Sequence, residues 1–245
     1  MTFKPTRREA IVLSSKALLG LLAAFPSLHG CGTDPASSGY PQNELEPEQL
    51  ILSWEGLLEK VRNLSQVQFS PYWEQESYVY DVAECMRALD LNDPAIAALF
   101  ENYLNRHQGF PEINTVHHET AFEVSILTFE PGETIDLHDH PEMTGVIMCH
   151  SGEIQVDNYN LLLEESQSGN HLIQRIGQEM MTAGSVATLT ADRGNIHALK
   201  TSTFTRMIDI FTPPYDDISI AASRWYEKDS ETYQGSTDIF EATSY

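Results

Sequence analysis

Basic residues are scarce in this chain of 245 residues, where 14 Lys and Arg face 36 Asp and Glu for a formal net charge of −22. Nucleic-acid-binding proteins need a basic face, so this balance argues against such partners. Long apolar runs are also lacking, because the run over residues 17–25 is far shorter than the roughly 20 residues that span a bilayer. Internal repeats are absent as well. A hydrophobic content of 41% is nevertheless enough for a sizeable core.

Cysteine is scarce too, and the first of the three cysteines ends a distinctive N-terminal segment. That segment has a basic start with Arg7 and Arg8, the apolar run 17–25, and a Leu-His-Gly-Cys31 sequence. This order resembles a bacterial twin-arginine export signal followed by a lipoprotein cleavage site. It predicts removal of residues 1–30 and a lipidated Cys that makes the only membrane contact, on the extracytoplasmic side. The alternative is an ordinary buried helix followed by an unrelated Cys.

Cys85 and Cys149 are the remaining pair. They can form a bridge in an oxidising compartment, but the sequence does not place them within disulfide reach. We expect two separate, buried thiols.

Composition and periodicity divide the rest of the chain. Residues 31–47 are small, polar and proline-bearing, which is typical of a flexible tether. Residues 48–110 are predicted to be helical. One helix is expected over 78–89, and another begins at Pro94 behind the N-cap Asp93.

From residue 111 to residue 228 the pattern changes to short apolar segments separated by Gly-bearing turns. Many short strands of this kind predict a sandwich or barrel. The segment 229–245 is acidic and hydroxyl-rich, with weak structural signals, and is predicted as a tail. The predicted strands cover residues 121–129, 135–140, 145–149, 153–159, 185–190, 197–201 and 205–211.

Candidate metal ligands lie on one of these strands. Side chains two residues apart in a strand point to the same face, so His138 and His140 aim two imidazoles at one point, and Asp139 points away. His197 supplies a third. A single His is more often a surface or hydrogen-bonded core residue, but the His-x-His spacing favours a metal site. Three neutral imidazoles suit Fe, Zn, Cu or Ni and leave coordination positions open.

Three motifs occur in the order found in one known family. They are His138-Asp-His-Pro-Glu-Met-Thr144, Gly194-Asn-Ile-His197 and Asp209-Ile-Phe-Thr-Pro-Pro-Tyr215. Together they resemble the cysteamine dioxygenase and plant cysteine oxidase group of cupins, over roughly residues 70–228. Gly145 stands where many metal cupins carry a Glu ligand. In lacking this Glu, the chain resembles the three-histidine branch of the cupins.

The resemblance implies a mainly β fold, the cupin double-stranded β-helix or jelly-roll barrel, preceded by α-helices. It also implies Fe(II) held by His138, His140 and His197, with no organic cofactor. The implied enzyme is a thiol dioxygenase that adds O2 to the sulfur of a small aminothiol or an N-terminal-Cys peptide, giving a sulfinic acid. We expect a monomer.

Further roles follow from the resemblance. Asp209 is expected to hold the substrate ammonium or orient a ligand imidazole, and Tyr215 to donate a hydrogen bond toward bound O2 or thiolate. The plainer alternatives are a solvated Asp and a packing Tyr. Free cysteine brings a carboxylate that favours an Arg partner. None of the motifs contains Arg175, Arg193 or Arg206, which favours cysteamine or a peptide as the substrate. Arg193 also departs from the family pattern, which has a second Gly at this position.

Two other functions remain open at this level. One is a three-histidine cupin oxygenase that acts on a non-thiol substrate. The other is a non-catalytic cupin that binds Zn or a ligand. Fe content with O2 uptake separates the oxygenases from the binding protein, and thiol dependence separates the two oxygenases.

Overall fold

The computed structural model describes residues 51–101, 110–164 and 170–245. The predicted export signal and tether fall on residues 1–50 and lie outside the described residues, as does any continuation of the third helix beyond residue 101. Within the described ranges, no helix combines the length and apolar character needed to cross a membrane.

In the part of the chain that the structure describes, three α-helices precede the strands, as predicted. Asp93 connects two of them, because its Oδ1 accepts a hydrogen bond from the Ala95 amide at 2.9 Å and its Oδ2 accepts one from the Trp54 amide at 2.7 Å. One carboxylate therefore caps the start of the third helix and satisfies a free amide at the start of the first. The helices are α1 (Trp54–Ser65), α2 (Gln75–Arg87) and α3 (Pro94–Glu101).

A five-stranded antiparallel sheet packs against these helices. It contains β1 (Glu112–His118), β2 (Glu123–Phe129), β4 (Thr144–Ser151), β7 (Val186–Leu189) and β9 (Thr205–Thr212), in the order β1-β2-β9-β4-β7. Along β9, Ile208 and Ile210 join the core shared with the helices, whereas Met207 belongs to a separate core cluster. This alternation is the two-residue period of a strand, and it leaves Asp209 facing the same way as Met207.

The second sheet has six antiparallel strands and faces the first. It contains β3 (Thr134–His138), β5 (Glu153–Leu163), β6 (His171–Thr182), β8 (Ile196–Lys200), β10 (Tyr226–Lys228) and β11 (Ile239–Ser244), in the order β10-β11-β6-β5-β8-β3. Trp225, just before β10, forms a bridge with His138 on β3, so the two edges of this sheet meet. The result is the predicted double-stranded β-helix.

Four strands, β1, β6, β10 and β11, were not among the strands predicted from the sequence. The segment 229–245 is not only an acidic tail, because β11 pairs with β6 and buries Phe240 and Ala242. Two apolar residues in alternation are enough for a short strand between β10 and β6, although the acidic surroundings conceal them. Strand β6 was not predicted, because it is largely exposed and polar residues and Gly177 interrupt its apolar positions.

Both cysteines within the described ranges are free thiols. Cys149 is buried and Cys85 is half-buried. Burial raises the pKa of the Cys149 thiol to about 11. Their separate positions agree with the expectation of two unpaired thiols, although Cys85 is less buried than expected.

Candidate metal centre

Three imidazoles converge between the two sheets. His138 ends β3 and pairs in register with His197 on β8, which places both rings at one point. His140 lies just beyond the end of β3, not on the strand as the spacing suggested. One ligand nitrogen from each of the three residues lies within 4.8 Å of the others. Among the residues that the structure describes, this is the one cluster of possible metal ligands with that geometry.

The ring nitrogens are arranged for metal binding. Nδ1 of His138 donates to the Asp136 carbonyl at 2.8 Å, which leaves Nε2 with its lone pair. Nε2 of His140 lies 3.4 Å from Nε2 of His197, so both nitrogens face the shared point. Burial lowers the pKa of His138, and it holds the pKa of His140 and of His197 well below the usual range. The rings are therefore neutral at pH 7, the form that binds a metal.

The Phe211 ring occupies the space that a side chain at residue 145 would need. A Cβ added at Gly145 would lie 2.8 Å from Cε1 of Phe211 and 3.2 Å from Cγ of Leu189. The Phe211 ring in turn packs against His140, with centroids 4.6 Å apart. Any side chain at residue 145 would have to displace this ring. The centre is therefore built for three histidines, without a glutamate from β4.

Asn195 clamps the backbone of His140. Its Oδ1 accepts from the His140 amide at 2.8 Å, and its Nδ2 donates to the His140 carbonyl at 2.9 Å and to the Thr190 carbonyl at 3.1 Å. The amide thus replaces the strand pairing that His140 lacks beyond the end of β3. The Gly-Asn-x-His motif therefore carries both a ligand and the clamp for another ligand. The sequence contained this signal in the motif, but no role was assigned to Asn195.

Asp139 points away from the three-histidine cluster, as predicted, although it lies just beyond β3, and it anchors another segment. It is 3% exposed, and its Oδ1 accepts from the Arg224 amide at 2.7 Å. Its Oδ2 accepts from Nε of Arg224 at 3.0 Å and from the Tyr226 hydroxyl at 2.7 Å. Between these partners, Trp225 stacks on His138 with ring centroids 5.0 Å apart. Sequence reasoning missed all three residues, because none lies near a ligand in the chain.

Asp209 lines a small inner cavity together with His197. Burial, and next the carboxylate of Glu123, raise the pKa of Asp209 well above its usual range when no cation is present. A bound cation or ammonium would therefore meet a carboxylate that lacks a positive partner among the lining residues. The cavity, of about 10 Å³, has room for one water. Its lining consists of Gly145, Ile147, Val156, Asn158, Ala187, Thr188, Leu189, His197, Asp209 and Phe211.

Tyr215 contacts one of the three histidines, and its predicted hydrogen bond toward bound O2 or thiolate stays a prediction. Its hydroxyl pairs with Nδ1 of His140, on the opposite side of the ring from the nitrogen that faces the other histidines. Because Nε2 is free for a metal, the proton of neutral His140 lies on Nδ1 and is donated to the phenol oxygen. Burial raises the pKa of Tyr215, so the phenol stays protonated. Tyr215 therefore orients His140 and is not among the residues that line the inner cavity.

A wider groove of about 320 Å³ adjoins the inner cavity and shares Asn158, Ala187 and Thr188 with it. Arg193 lies along this groove, but its guanidinium is already paired with Glu76 of α2, with Nε–Oε1 and Nη2–Oε2 distances of 2.9 and 2.8 Å. The groove therefore shares part of its wall with the cavity that His197 lines, and its one guanidinium is already paired. Arg175 and Arg206 line neither cavity.

A family model described as PCO_ADO, the cysteamine dioxygenase and plant cysteine oxidase group, matches residues 82–243, which is more than half of the chain. The chain belongs to this family. The match spans α3 and every strand, as well as all three histidines. It extends past residue 228, which agrees with the packing of β11 onto the barrel.

Individual relatives are more distant. Plant cysteine oxidase 2 from Arabidopsis thaliana is 29% identical over 100 residues, which cover 39% of this chain and only 36% of that protein. A double-stranded β-helix protein from Klebsiella pneumoniae is 18% identical with a TM-score of 0.37, covering 50% of this chain and 90% of the other. KdgF from Halomonas sp. is 15% identical with a TM-score of 0.36, covering 48% and 90%.

Proposed function

We propose that this chain is a non-haem iron thiol dioxygenase, in which His138, His140 and His197 hold Fe(II). The observation that carries the proposal is the convergence of three neutral imidazoles, two buried and one half-buried, beside the Gly145 position, which excludes a carboxylate ligand. Family membership supports the same activity. Imidazole nitrogens suit iron among several metals, and three of them leave coordination positions for substrates.

The chemistry divides between the metal and the chain. With three neutral ligands, a bound Fe(II) keeps its full positive charge, which favours the thiolate form of a substrate and supplies the O2 chemistry that side chains lack. Overall, both atoms of O2 add to sulfur and the thiol proton is released, giving a sulfinate. Tyr215 and Asn195 hold His140 in place, and Asp209 faces the substrate.

The cavity walls favour a substrate that has an ammonium group and no nearby carboxylate. Asp209 lines the inner cavity, and a bound ammonium or metal cation would offset the burial that raises its pKa and so favour the negative form of its carboxylate. Among the described residues, no Lys or Arg lines the inner cavity, and Arg193 in the outer groove is paired with Glu76. A free cysteine carboxylate would therefore lack a cation. We propose cysteamine or an N-terminal-Cys peptide as the substrate, and the outer groove can hold the part of a peptide beyond its first residue.

The test is O2 consumption after anaerobic reconstitution with Fe(II). Cysteamine and an N-terminal-Cys peptide should support uptake and gain two oxygen atoms by mass spectrometry, and free cysteine should react more slowly. Uptake that does not depend on a thiol would favour an oxygenase with another substrate. A metal-loaded protein that consumes no O2 with any thiol would favour the non-catalytic alternative.

Asp209→Asn keeps the side chain's size but removes its charge. We expect the fold and the metal content to persist, with activity on cysteamine reduced by roughly 10–100-fold, the usual effect of losing an outer-sphere partner. If Asp209 holds the ammonium, the loss should be smaller for 2-mercaptoethanol, which has no amine. An equal loss for both thiols would assign Asp209 to ligand orientation, and unchanged kinetics would contradict both roles. Asp157→Asn, on β5 outside both cavities, is the control.

We further propose that the chain is exported and anchored by lipid at Cys31. The N-terminal sequence alone supports this location, and stable anchoring requires two acyl chains, which bacterial lipidation supplies. Fractionation of cells that express the wild type and Cys31→Ser should place the wild type with membranes and leave the variant soluble or unprocessed. Wild-type protein found in the cytosol with Met1 still attached would contradict the proposal.

A further inference from the structure

His138 differs from the other two ligands in its exposure. His140 and His197 are 4% and 6% exposed, whereas His138 is only half-buried. Its hydrogen bond to the Asp136 carbonyl fixes one end of the ring but leaves both faces to other contacts. The side chain of Trp225 lies against one of these faces, with ring planes 28° apart. The indole therefore limits how far the least enclosed ligand can tilt.

Trp225 is itself held from two directions. Its neighbours Arg224 and Tyr226 bind Asp139, and the Asp139 amide donates to the Arg224 carbonyl at 3.0 Å. Its own backbone pairs with Tyr245, whose amide donates to the Trp225 carbonyl at 3.0 Å. Asp139 lies between two ligands in the chain, so it joins their loop to a segment 85 residues away. Trp225 does not line the cavity.

We propose that Trp225 is a positioning residue that holds the His138 imidazole in its metal-binding orientation, with Asp139 fixing the segment that carries the indole. This role rests on the proposed metal site and not on the identity of the substrate. Such outer contacts commonly change metal affinity by roughly 10–100-fold when they are removed. No motif used to recognise the family contains Trp225.

The experiment uses the full chain and Co(II) as a spectroscopic metal. Affinity is measured by competition with a chromophoric chelator, and ligand geometry by the visible absorption of the bound metal. Trp225→Leu should weaken Co(II) binding by roughly 10–100-fold and alter the absorption spectrum. Trp225→Phe, which keeps an aromatic face, should restore both. Trp73→Leu, which removes a half-buried indole that packs on Tyr78, should bind Co(II) as the wild type does.

A second measurement does not depend on the Leu variant being folded. Binding of Co(II) should quench part of the indole fluorescence of the wild type, and this part should be missing in Trp225→Phe. Equal quenching in the two proteins, or wild-type affinity and spectrum in a folded Trp225→Leu, would overturn the assignment. A wild-type protein that binds no metal would instead overturn the proposed function.

Discussion

Replacing His197 with alanine is expected to abolish metal binding and, with it, thiol-dependent O2 uptake. His197 supplies one of three ligand nitrogens, and its Nε2 lies 3.4 Å from that of His140. Two imidazoles cannot enclose the metal, so the affinity should fall by more than about 100-fold, the upper end for residues that only support ligands. Metal content after dialysis measures the first effect, and O2 uptake after anaerobic reconstitution with Fe(II) measures the second.

The control for this variant is His117→Ala. His117 lies on β1 and is hydrogen-bonded to Glu119 at 2.7 Å, outside the three-histidine cluster. The His117→Ala variant also loses an imidazole, but its metal content and its activity should be unchanged. Because His197 is buried, His197→Gln provides a variant closer in volume, and unfolding of the metal-free proteins checks that each one folds. Full metal content in a folded His197 variant would contradict the ligand assignment.

Asn195→Ala should cause the second largest loss, because it affects both the fold and the metal. The substitution removes the partner of the His140 amide and carbonyl and of the Thr190 carbonyl. Leaving a buried polar group unpaired costs about 1–3 kcal/mol, so the free energy of unfolding of the metal-free protein should fall by at least this amount. Metal affinity should also fall, by roughly 10–100-fold, because His140 is no longer held.

Urea unfolding and chelator competition measure the two consequences of Asn195→Ala separately. Asn114→Ala is the matched control, because Asn114 is an exposed strand residue whose side-chain amide donates a hydrogen bond to Glu112. It should change neither quantity appreciably. Loss of stability with unchanged metal affinity would mean that the clamp supports the loop but does not position His140.

The sequence predicted the ligands because their signal is local. The parity of a strand brings His138 and His140 to one side, and the Gly-Asn-x-His motif supplies His197. The local argument was incomplete at His140, which lies beyond β3 and is held by a side-chain amide and not by strand pairing. The two-residue period of a strand correctly predicted that the His138 and His140 side chains converge. The contact that holds His140 in place, however, is a tertiary one, from the side chain of Asn195.

The supporting residues were beyond prediction for the same reason. Trp225 meets His138 only when the two edges of the second sheet come together, and no periodicity encodes that closure. The contact of the Tyr215 hydroxyl with Nδ1 of His140 was not predicted, because a motif places a residue near a site without giving the ring nitrogen that it contacts. Strand β6 was not predicted from the sequence, because a strand with few buried residues need not alternate apolar and polar residues strictly.

Helix α2 has a further consequence for how the centre forms. Gln75 accepts a hydrogen bond from the Ala191 amide at 2.9 Å, and Glu76 holds Arg193, so contacts over more than 100 residues of chain fix the loop that leads to Asn195. Because such long-range contacts form slowly, we expect the ligands to acquire their geometry late in folding. Nascent chains would have little affinity for the metal, and a cell would have to supply it to finished protein. Each bound ion then acts as a folding ligand, adding about 2.7 kcal/mol at a hundredfold excess over its Kd.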